Sequence, residues 1–490
     1  MRGWLSRSLL IGGVFALVWL AVIYSWTSSK RIPNASDVAF YFVAAPIAVL
    51  IAVWMISKVW GMARSKPDLD TSTADAAKSK AINTNNAEER TAVQERSLSL
   101  VLLATAIRLT HGDSAEGLRS KFAANELSLS LDPELTDANG FPVLSGRIAE
   151  LDETAQLETL LEFSIAQHKP NLEWSSEQLR AISLSAAVLL ELAQQAVNHP
   201  QLEAYLAAPA HLRETMPLPS LQLVALLPES WEVEARGRVL DWFCHVIQQQ
   251  GWPAEKITVR LERQSAKSRA VLALDRLMLD GFRLSQACFG ILIACESSIS
   301  EASVERWENA GILFKAQNMS GSIPGEAAAG LLLADEAQAE LMTSESSVRL
   351  HRALVSQRDK SADASGQISD QLLASMTQDA LALSKVSAED IKLICSDADH
   401  RVSRATELLG MGYKLFPELD ATQHYFKLTH ACGEIGAVAS LAALVLAHQH
   451  VLSEASPSLC VSNLDSHERS VAILSPWVAA APLAAPLAAA

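Results

Sequence analysis

The sequence lacks the short motifs that mark several large enzyme classes. It has no GxSxG nucleophile elbow, no HExxH metal-binding helix, no GxxxxGK[ST] phosphate loop and no GxGxxG dinucleotide turn. It also lacks any CxxC pair, and several of its six cysteines stand inside apolar runs, which indicates buried thiols in a reducing compartment. These absences disfavour the corresponding enzyme classes and a disulfide framework.

Positive charge is scarce outside the first part of the chain. The formal net charge of all 490 residues is −15. Residues 1–66 hold seven basic side chains and one acidic one, for a net charge of +6, so residues 67–490 carry −21. A surface this acidic repels phosphate backbones, which argues against a nucleic acid partner.

Two runs near the N-terminus contain no charged side chain. Residues 9–26 and 38–57 are each long enough to cross a bilayer core of about 30 Å as a helix. No small-residue cleavage site follows the first run and a second run does, so we interpret residues 1–66 as a two-span anchor and not as a signal peptide. The segments outside the two runs carry five basic residues, whereas the loop between the runs carries two. Because basic residues concentrate on the cytoplasmic side, this predicts a bacterial inner-membrane protein whose soluble domain faces the cytoplasm.

The rest of the chain divides by composition. Residues 67–96 are polar and nearly free of large apolar side chains, which is typical of a flexible linker. Residues 97–478 have the composition of a globular domain, whereas residues 479–490 form an Ala/Pro-rich tail that we predict to be disordered.

Strand-like and helix-like segments alternate in the soluble domain, which predicts an α/β fold with a mostly buried sheet. The strand candidates are residues 97–104, 221–227, 256–261, 289–294, 329–334, 390–395 and 470–475. The helix candidates are residues 151–168, 176–198, 232–250, 265–280, 368–384, 401–411 and 434–452. Gly281 is a predicted C-cap, and the last helix is apolar nearly all round and should lie between layers.

Metal and cofactor sites find little support in the sequence. His424, His430 and Cys432 stand close together, but their spacing matches no usual zinc pattern and a fourth ligand is not visible. His448 and His450 point to different faces of the last helix, so they cannot chelate an ion together while helical. We therefore predict no metal site and no cofactor.

Two glycine-containing stretches indicate tight backbone packing at the centre of the fold. The first, residues 322–335, reads SIPGEAAAGLLLAD, and the second, residues 433–440, reads GEIGAVAS. In this order they resemble the β-ketoacyl synthase (thiolase-like) condensing enzymes, which carry a GEGA-type turn and later a GHxxGAxG-type turn. Residues 386–407 and SRAVLALDRLMLDG (268–281) resemble two further segments of that superfamily. The resemblance spans roughly residues 220–475 and implies a thiolase-like layered fold.

The departures from the family pattern bear on function. Condensing enzymes use a cysteine thiolate at the start of one helix together with two histidines or a His/Asn pair. The corresponding positions here are Gln264 for the cysteine, Gly433 for one histidine and Ser396 for the other, although a shifted register would bring His400 close. If the resemblance holds, no catalytic residues remain.

A degenerate thiolase-like domain behind two N-terminal spans resembles the type VI lipase adapter family, and residues 106–152 are similar to that family's opening region. The resemblance implies an adapter that binds a phospholipase effector of the type VI secretion system and passes it to a VgrG spike, without catalysis. Dimerisation is common among thiolase-like domains, which makes a homodimer an expectation as well.

Two alternatives remain open. The first is a membrane-associated condensing enzyme or acyltransferase with a relocated nucleophile, for which Cys244, Cys288 and Cys432 are the candidates. The second is a scaffold that only holds a secretion assembly at the membrane. Reaction with an acyl-thioester probe would separate the first alternative from the adapter, and direct binding of the effector would separate the second.

Overall fold

The computed structural model describes residues 94–149, 151–262, 269–342 and 347–479. The two predicted membrane spans, most of the predicted linker and all of the predicted tail except Ala479 lie outside these ranges. Within them, every helix is too short or too polar to cross a bilayer.

The described residues form thirteen strands and fourteen α-helices. The strands are β1 (Ser99–Arg108), β2 (Ser130–Thr136), β3 (Pro142–Ser145), β4 (Leu221–Leu226), β5 (Ile257–Glu262), β6 (Phe289–Ser297), β7 (Glu326–Ala334), β8 (Ser347–His351), β9 (Leu354–Gln357), β10 (Leu393–Ser396), β11 (Tyr425–Lys427), β12 (Ser458–Ser462) and β13 (Glu468–Trp477). The helices are α1 (Ala115–Ala123), α2 (Glu153–Ala166), α3 (Ser176–Ala196), α4 (Leu202–Ala207), α5 (Ala210–Arg213), α6 (Val233–Gln249), α7 (Arg269–Leu284), α8 (Glu301–Asn309), α9 (Glu336–Met342), α10 (Gln371–Ser384), α11 (Val402–Leu415), α12 (Ala421–His424), α13 (Leu428–Cys432) and α14 (Val438–Glu454).

The main sheet contains the same strand arrangement twice. Its order is β11-β10-β12-β13-β8-β1-β7-β6-β4-β5, with β9 paired to β13, and β2 and β3 form a separate hairpin. If the five main strands of each half are numbered along the chain, both halves have the spatial order 3-2-4-5-1. The directions also agree, because in each half three neighbouring strands are parallel and the next strand is antiparallel. An antiparallel pairing of β1 with β8 joins the halves.

The helices and the two half-sheets make alternating layers. Helix α14 lies in the middle and packs against strands of both halves. Helix α7 packs beside it, against β4 and β6 of the first half. Helices α3 and α6 cover the outer face of the first half, and α10 and α11 cover that of the second. All nine residues of β7 are buried, as expected for a strand covered on both faces.

The helices and strands predicted from the sequence overlap the observed ones and differ from them mainly at their ends. All seven strand candidates and all seven helix candidates overlap observed elements of the predicted type. One local prediction was wrong: Gly281 does not end its helix, because α7 continues through this residue to Leu284. The chain leaves the helix at Ser285, whose φ of 51° provides the left-handed turn.

Candidate functional site

The position that corresponds to the family's nucleophile follows β5. The predicted residue, Gln264, belongs to residues 263–268, which lie outside the described ranges between β5 and α7. This connecting stretch contains no cysteine, and the cysteines nearest to it in sequence are Cys244 and Cys288.

A small cavity lies between the described first turns of α7 and the second half-sheet. It has a volume of about 10 Å³, and its walls include Val271 of α7, Ser440 and Leu444 of α14, and Cys460 of β12. That is about the space needed by one water molecule, so this cavity is too small to hold an acyl chain.

Gly433 is the residue that the sequence resemblance assigns to one family histidine. Its φ of 78° and ψ of −171° lie in a region that is essentially restricted to glycine. A Cβ atom at this residue would lie 2.7 Å from the carbonyl oxygen of Pro324. The next residue, Glu434, donates its backbone N–H to Ile323 O at 2.7 Å, and Gly146 donates to Pro324 O at 2.7 Å. The backbone of the Pro-Gly turn therefore fills the space beside Gly433, as the two glycine-containing motifs predicted.

Ser396, which the sequence resemblance assigns to the other family histidine, lies at the end of β10. It is fully buried, and its hydroxyl donates to Asn463 Oδ1 at 3.0 Å while accepting from the N–H of Ala398 at 3.1 Å. The neighbouring Asp397 carboxylate accepts the backbone N–H groups of Asn463 at 2.8 Å and Leu464 at 3.0 Å. These bonds tie the loop after β10 to the turn between β12 and β13, so the loop has a structural role.

His400, the alternative for this position, follows four residues later. Its ring packs edge-on against Phe314, with 5.1 Å between the ring centroids. Its Nε2 atom is buried and makes no hydrogen bond within the described chain. The backbone N–H of His430 donates to Ala398 O at 3.1 Å, so the loops that carry Ser396 and Gly433 are in direct contact. The structure thus brings together the two predicted positions that it describes.

The glutamate of the Pro-Gly-Glu motif is part of a buried ion pair that the sequence did not predict. Glu326 is fully buried and accepts Nε and Nη2 of Arg180 at 2.7 and 2.5 Å. It also accepts the backbone N–H of Ile148 at 2.7 Å. The residues that complete this network lie 146 and 178 positions away in sequence, so no local pattern indicates the pairing.

The three cysteines considered as relocated nucleophiles all lie in poorly solvated surroundings. Burial and the neighbouring Asp241 raise the pKa of Cys244 to about 11. Burial and Asp335 raise the pKa of Cys288 to about 12, and burial raises that of Cys432 to about 12 as well. At neutral pH these groups are thiols and not thiolates, and the thiolate is the nucleophilic form. None of the three makes a hydrogen bond to a histidine of the described chain.

The residues considered as metal ligands are directed elsewhere. The Nδ1 atom of His424 lies 3.1 Å from the backbone oxygen of Asp420, and Cys432 is buried in the central layer. His448 contacts Thr105 through Nδ1 at 3.2 Å, whereas His450 contacts Ser456 through Nε2 at 3.2 Å. The two histidines of α14 thus serve different neighbours, as their spacing predicted.

Comparison with known structures identifies the fold. The ketosynthase from module 6 of the bacillaene synthase from Bacillus subtilis 168 aligns with a TM-score of 0.51 at 11% identity, over 77% of this chain and 72% of that one. The ketosynthase from module 1 of the bacillaene synthase from Bacillus amyloliquefaciens FZB42 gives a TM-score of 0.51 at 12% identity, over 80% and 75%. The ishigamide ketosynthase/chain length factor gives 0.50 at 12% identity, over 77% and 99%.

The chain therefore has the thiolase-like α/β fold of ketosynthases. At these low identities the likeness concerns the fold and not the activity. No protein-family model and no curated protein matches the sequence.

Proposed function

We propose that this protein is a membrane-anchored adapter that binds a type VI secretion lipase effector in the bacterial cytoplasm and directs it to a VgrG-type spike, without catalysis of its own. The thiolase-like fold supports the first part of this proposal, because the adapter family that the sequence resembles combines such a domain with two N-terminal spans. The predicted anchor at residues 9–26 and 38–57 agrees with that architecture.

The observation that carries the non-catalytic part of the proposal is the close packing around Gly433 and Ser396. By the sequence resemblance these residues stand where condensing enzymes have two histidines, and packed backbone and hydrogen bonds occupy their surroundings. A glycine cannot polarise a carbonyl group, and neither residue is a base. The raised pKa values of Cys244, Cys288 and Cys432 disfavour the alternative of a condensing enzyme with a displaced nucleophile.

The charge of the protein suits a protein partner better than a nucleic acid. Residues 67–490 carry a net charge of −21, which would steer a basic surface of an effector towards the domain. On this proposal the effector would be held by surface complementarity, so its binding should weaken with increasing salt concentration.

Affinity capture of the full-length chain from membranes of a type VI-competent bacterium tests the proposal. The expected result is co-purification of a lipase-type effector, and of a VgrG-type spike through it, in amounts that fall at high salt. Full-length Gly433→Ala protein that has been denatured by urea and immobilised provides the control for non-specific capture. Recovery of neither partner from several growth conditions would contradict the adapter function, and recovery of membrane subunits without the effector would favour the scaffold.

A further inference from the structure

A separate cavity lies at the free edge of the second half-sheet. It has a volume of about 350 Å³, within the range of small-molecule pockets. Strand β11 forms one wall, helix α11 forms another, and the segment after α1 closes a third side. The cavity is distinct from the one at the start of α7, with which it shares no lining residue.

The walls of this edge cavity are mostly apolar. Phe122 and Phe426 pack against each other with 4.6 Å between their ring centroids, and Leu408 and Leu409 of α11 line the other side. Side chains of this kind exclude water, so the cavity favours an apolar chain or ring.

The rim carries a cation that the described chain does not neutralise. Lys427 is half-buried and lines the cavity, and its ammonium group makes neither an ion pair nor a hydrogen bond with any described residue. Partial burial and the Lys427 ammonium lower the pKa of His430, so at neutral pH the imidazole is an uncharged partner. No aspartate or glutamate is among the lining residues, although the domain as a whole is strongly acidic.

An apolar cavity with one unpaired ammonium group at its rim fits a ligand of matching polarity. We propose that the edge cavity binds a medium-chain fatty acid, whose carboxylate pairs with Lys427 and whose alkyl chain lies against the half-buried side chains of Phe122, Leu127 and Leu409. The carboxylate supplies the acceptor that the ammonium lacks, and the neutral His430 can donate a second hydrogen bond to it. This inference does not depend on effector binding, so either proposal can fail alone.

A peptide C-terminus has a similar combination of carboxylate and apolar side chain, but the cavity suits it less well. A bound peptide needs partners for its backbone N–H and C=O groups. The edge strand β11 has only three residues for pairing with a peptide backbone, and the polar uncharged side chains in the lining are those of Asn125, Thr422, Tyr425 and the neutral His430. The fatty acid requires none of these additional partners.

Photo-labelling of the full chain in phosphatidylcholine nanodiscs tests the proposal directly. The probe is a decanoate analogue with a diazirine on its alkyl chain, and mass spectrometry locates the adducts. We expect adducts on residues 405–409 and 421–431 that decanoate suppresses and that decan-1-ol and decyltrimethylammonium suppress much less. Lys427→Gln should raise the decanoate concentration needed for half-suppression about tenfold, because a charge-assisted hydrogen bond is lost. Lys392→Gln, which changes an exposed lysine before β10, should leave it unchanged.

Each of the other outcomes would overturn the assignment. Equal suppression by decanoate and decan-1-ol, or an unchanged Lys427→Gln variant, would show that the cation does not recognise the ligand. Adducts confined to other segments would place the fatty acid elsewhere. Stronger suppression by lysophosphatidylglycerol than by decanoate would assign the cavity to a membrane lipid, and stronger suppression by an apolar peptide with a free carboxylate would assign it to a protein terminus.

A second variant, Ala405→Phe, fills the cavity from a half-buried position and should abolish labelling while urea unfolding reports an intact fold.

Discussion

Gly433 is the residue at which the difference from the ketosynthases can be measured most simply. Its backbone conformation is one that only glycine adopts readily, and the Pro324 carbonyl lies where a side chain would begin. A histidine could be placed here only by displacing the Pro-Gly turn, which is itself bonded to residues 146 and 434.

We expect Gly433→Ala to lower the free energy of unfolding by about 3 kcal/mol, because backbone strain and a steric clash act together. Gly140→Ala is the matched control, since Gly140 also has a positive φ of 81° but has open space around it. This control should lower the free energy by only about 1 kcal/mol. Urea unfolding followed by circular dichroism measures both, and equal effects would show that Pro324 does not constrain residue 433.

Buried histidines make the stability of the domain dependent on pH. Burial lowers the pKa of His351, His448 and His450 to about 4 in each case. Below about pH 6.5 these histidines are protonated in the unfolded chain but stay neutral in the native state until about pH 4. The unfolded chain therefore binds more protons, and the free energy of unfolding falls as the pH decreases from 6.5 towards 4. Burial raises the pKa of Asp397 to about 6, compared with 3.8 in the unfolded chain. Between these two pH values the native state binds the proton more strongly, so this aspartate raises the free energy of unfolding as the pH decreases.

With three histidines against one aspartate, we expect the domain to be less stable at pH 5 than at pH 7 by roughly 3 kcal/mol, after allowance for partial solvent exposure. Urea midpoints at the two pH values measure the difference. His448→Asn keeps an acceptor for Thr105 and removes one titrating group, so the difference should shrink by about half. A domain equally stable at both pH values would contradict the assigned protonation states.

At the scale of helices and strands, the sequence was most informative where segments are long and apolar. Residues 289–294 and 329–334 correspond to β6 and β7 at the centre of the first half-sheet, and the apolar helix α14 lies between layers as predicted. The short strands β8, β11 and β12 were missed, because three to five residues carry no measurable periodicity. Their partners lie far away in sequence, so only tertiary pairing defines them.

The candidate site was predictable in position but not in detail. The two glycine-containing motifs located the contact between residues 323–325 and 433–434, because close backbone approach leaves glycine in the sequence. The role of Asp397 was not visible, since its partners Asn463 and Leu464 belong to a distant turn. The edge cavity was missed for the same reason, because α1, α11 and β11 meet only in the folded chain.

The corrected end of α7 leads to a prediction at this scale. Gly281 lies inside the helix, where a Cβ atom would make an ordinary contact of 3.4 Å with Cys288 Cβ. We therefore expect Gly281→Ala to raise the free energy of unfolding by up to about 1 kcal/mol. Gly251, which follows α6 with a φ of 107° and open space, is the matched control, and Gly251→Ala should lower it by about 1 kcal/mol. Destabilisation by both changes, measured by urea unfolding, would mean that Gly281 does end its helix.

At the scale of the whole molecule, two similar half-sheets enclose a central layer that contains α7 and α14. The start of α7 lies beside β12, and the loops after β10 and before α14 contact each other, with packed backbone and hydrogen bonds around Gly433 and Ser396. The proposed fatty acid cavity at the free edge of the second half-sheet shares no lining residue with the small cavity at the start of α7.

The central claim is that the thiolase-like centre no longer performs thiol chemistry, and electrophile labelling of the native full-length chain tests it most directly. The folded protein is treated at neutral pH with a cerulenin-like probe and with an acyl-thioester, and adducts are located by mass spectrometry, with a urea-unfolded sample as the control. The account predicts adducts on cysteines only after unfolding, because the raised pKa values of Cys244, Cys288 and Cys432 keep these thiols protonated and burial also covers Cys288 and Cys432. A stoichiometric adduct on Cys244, Cys288 or Cys432 of the folded chain would contradict it.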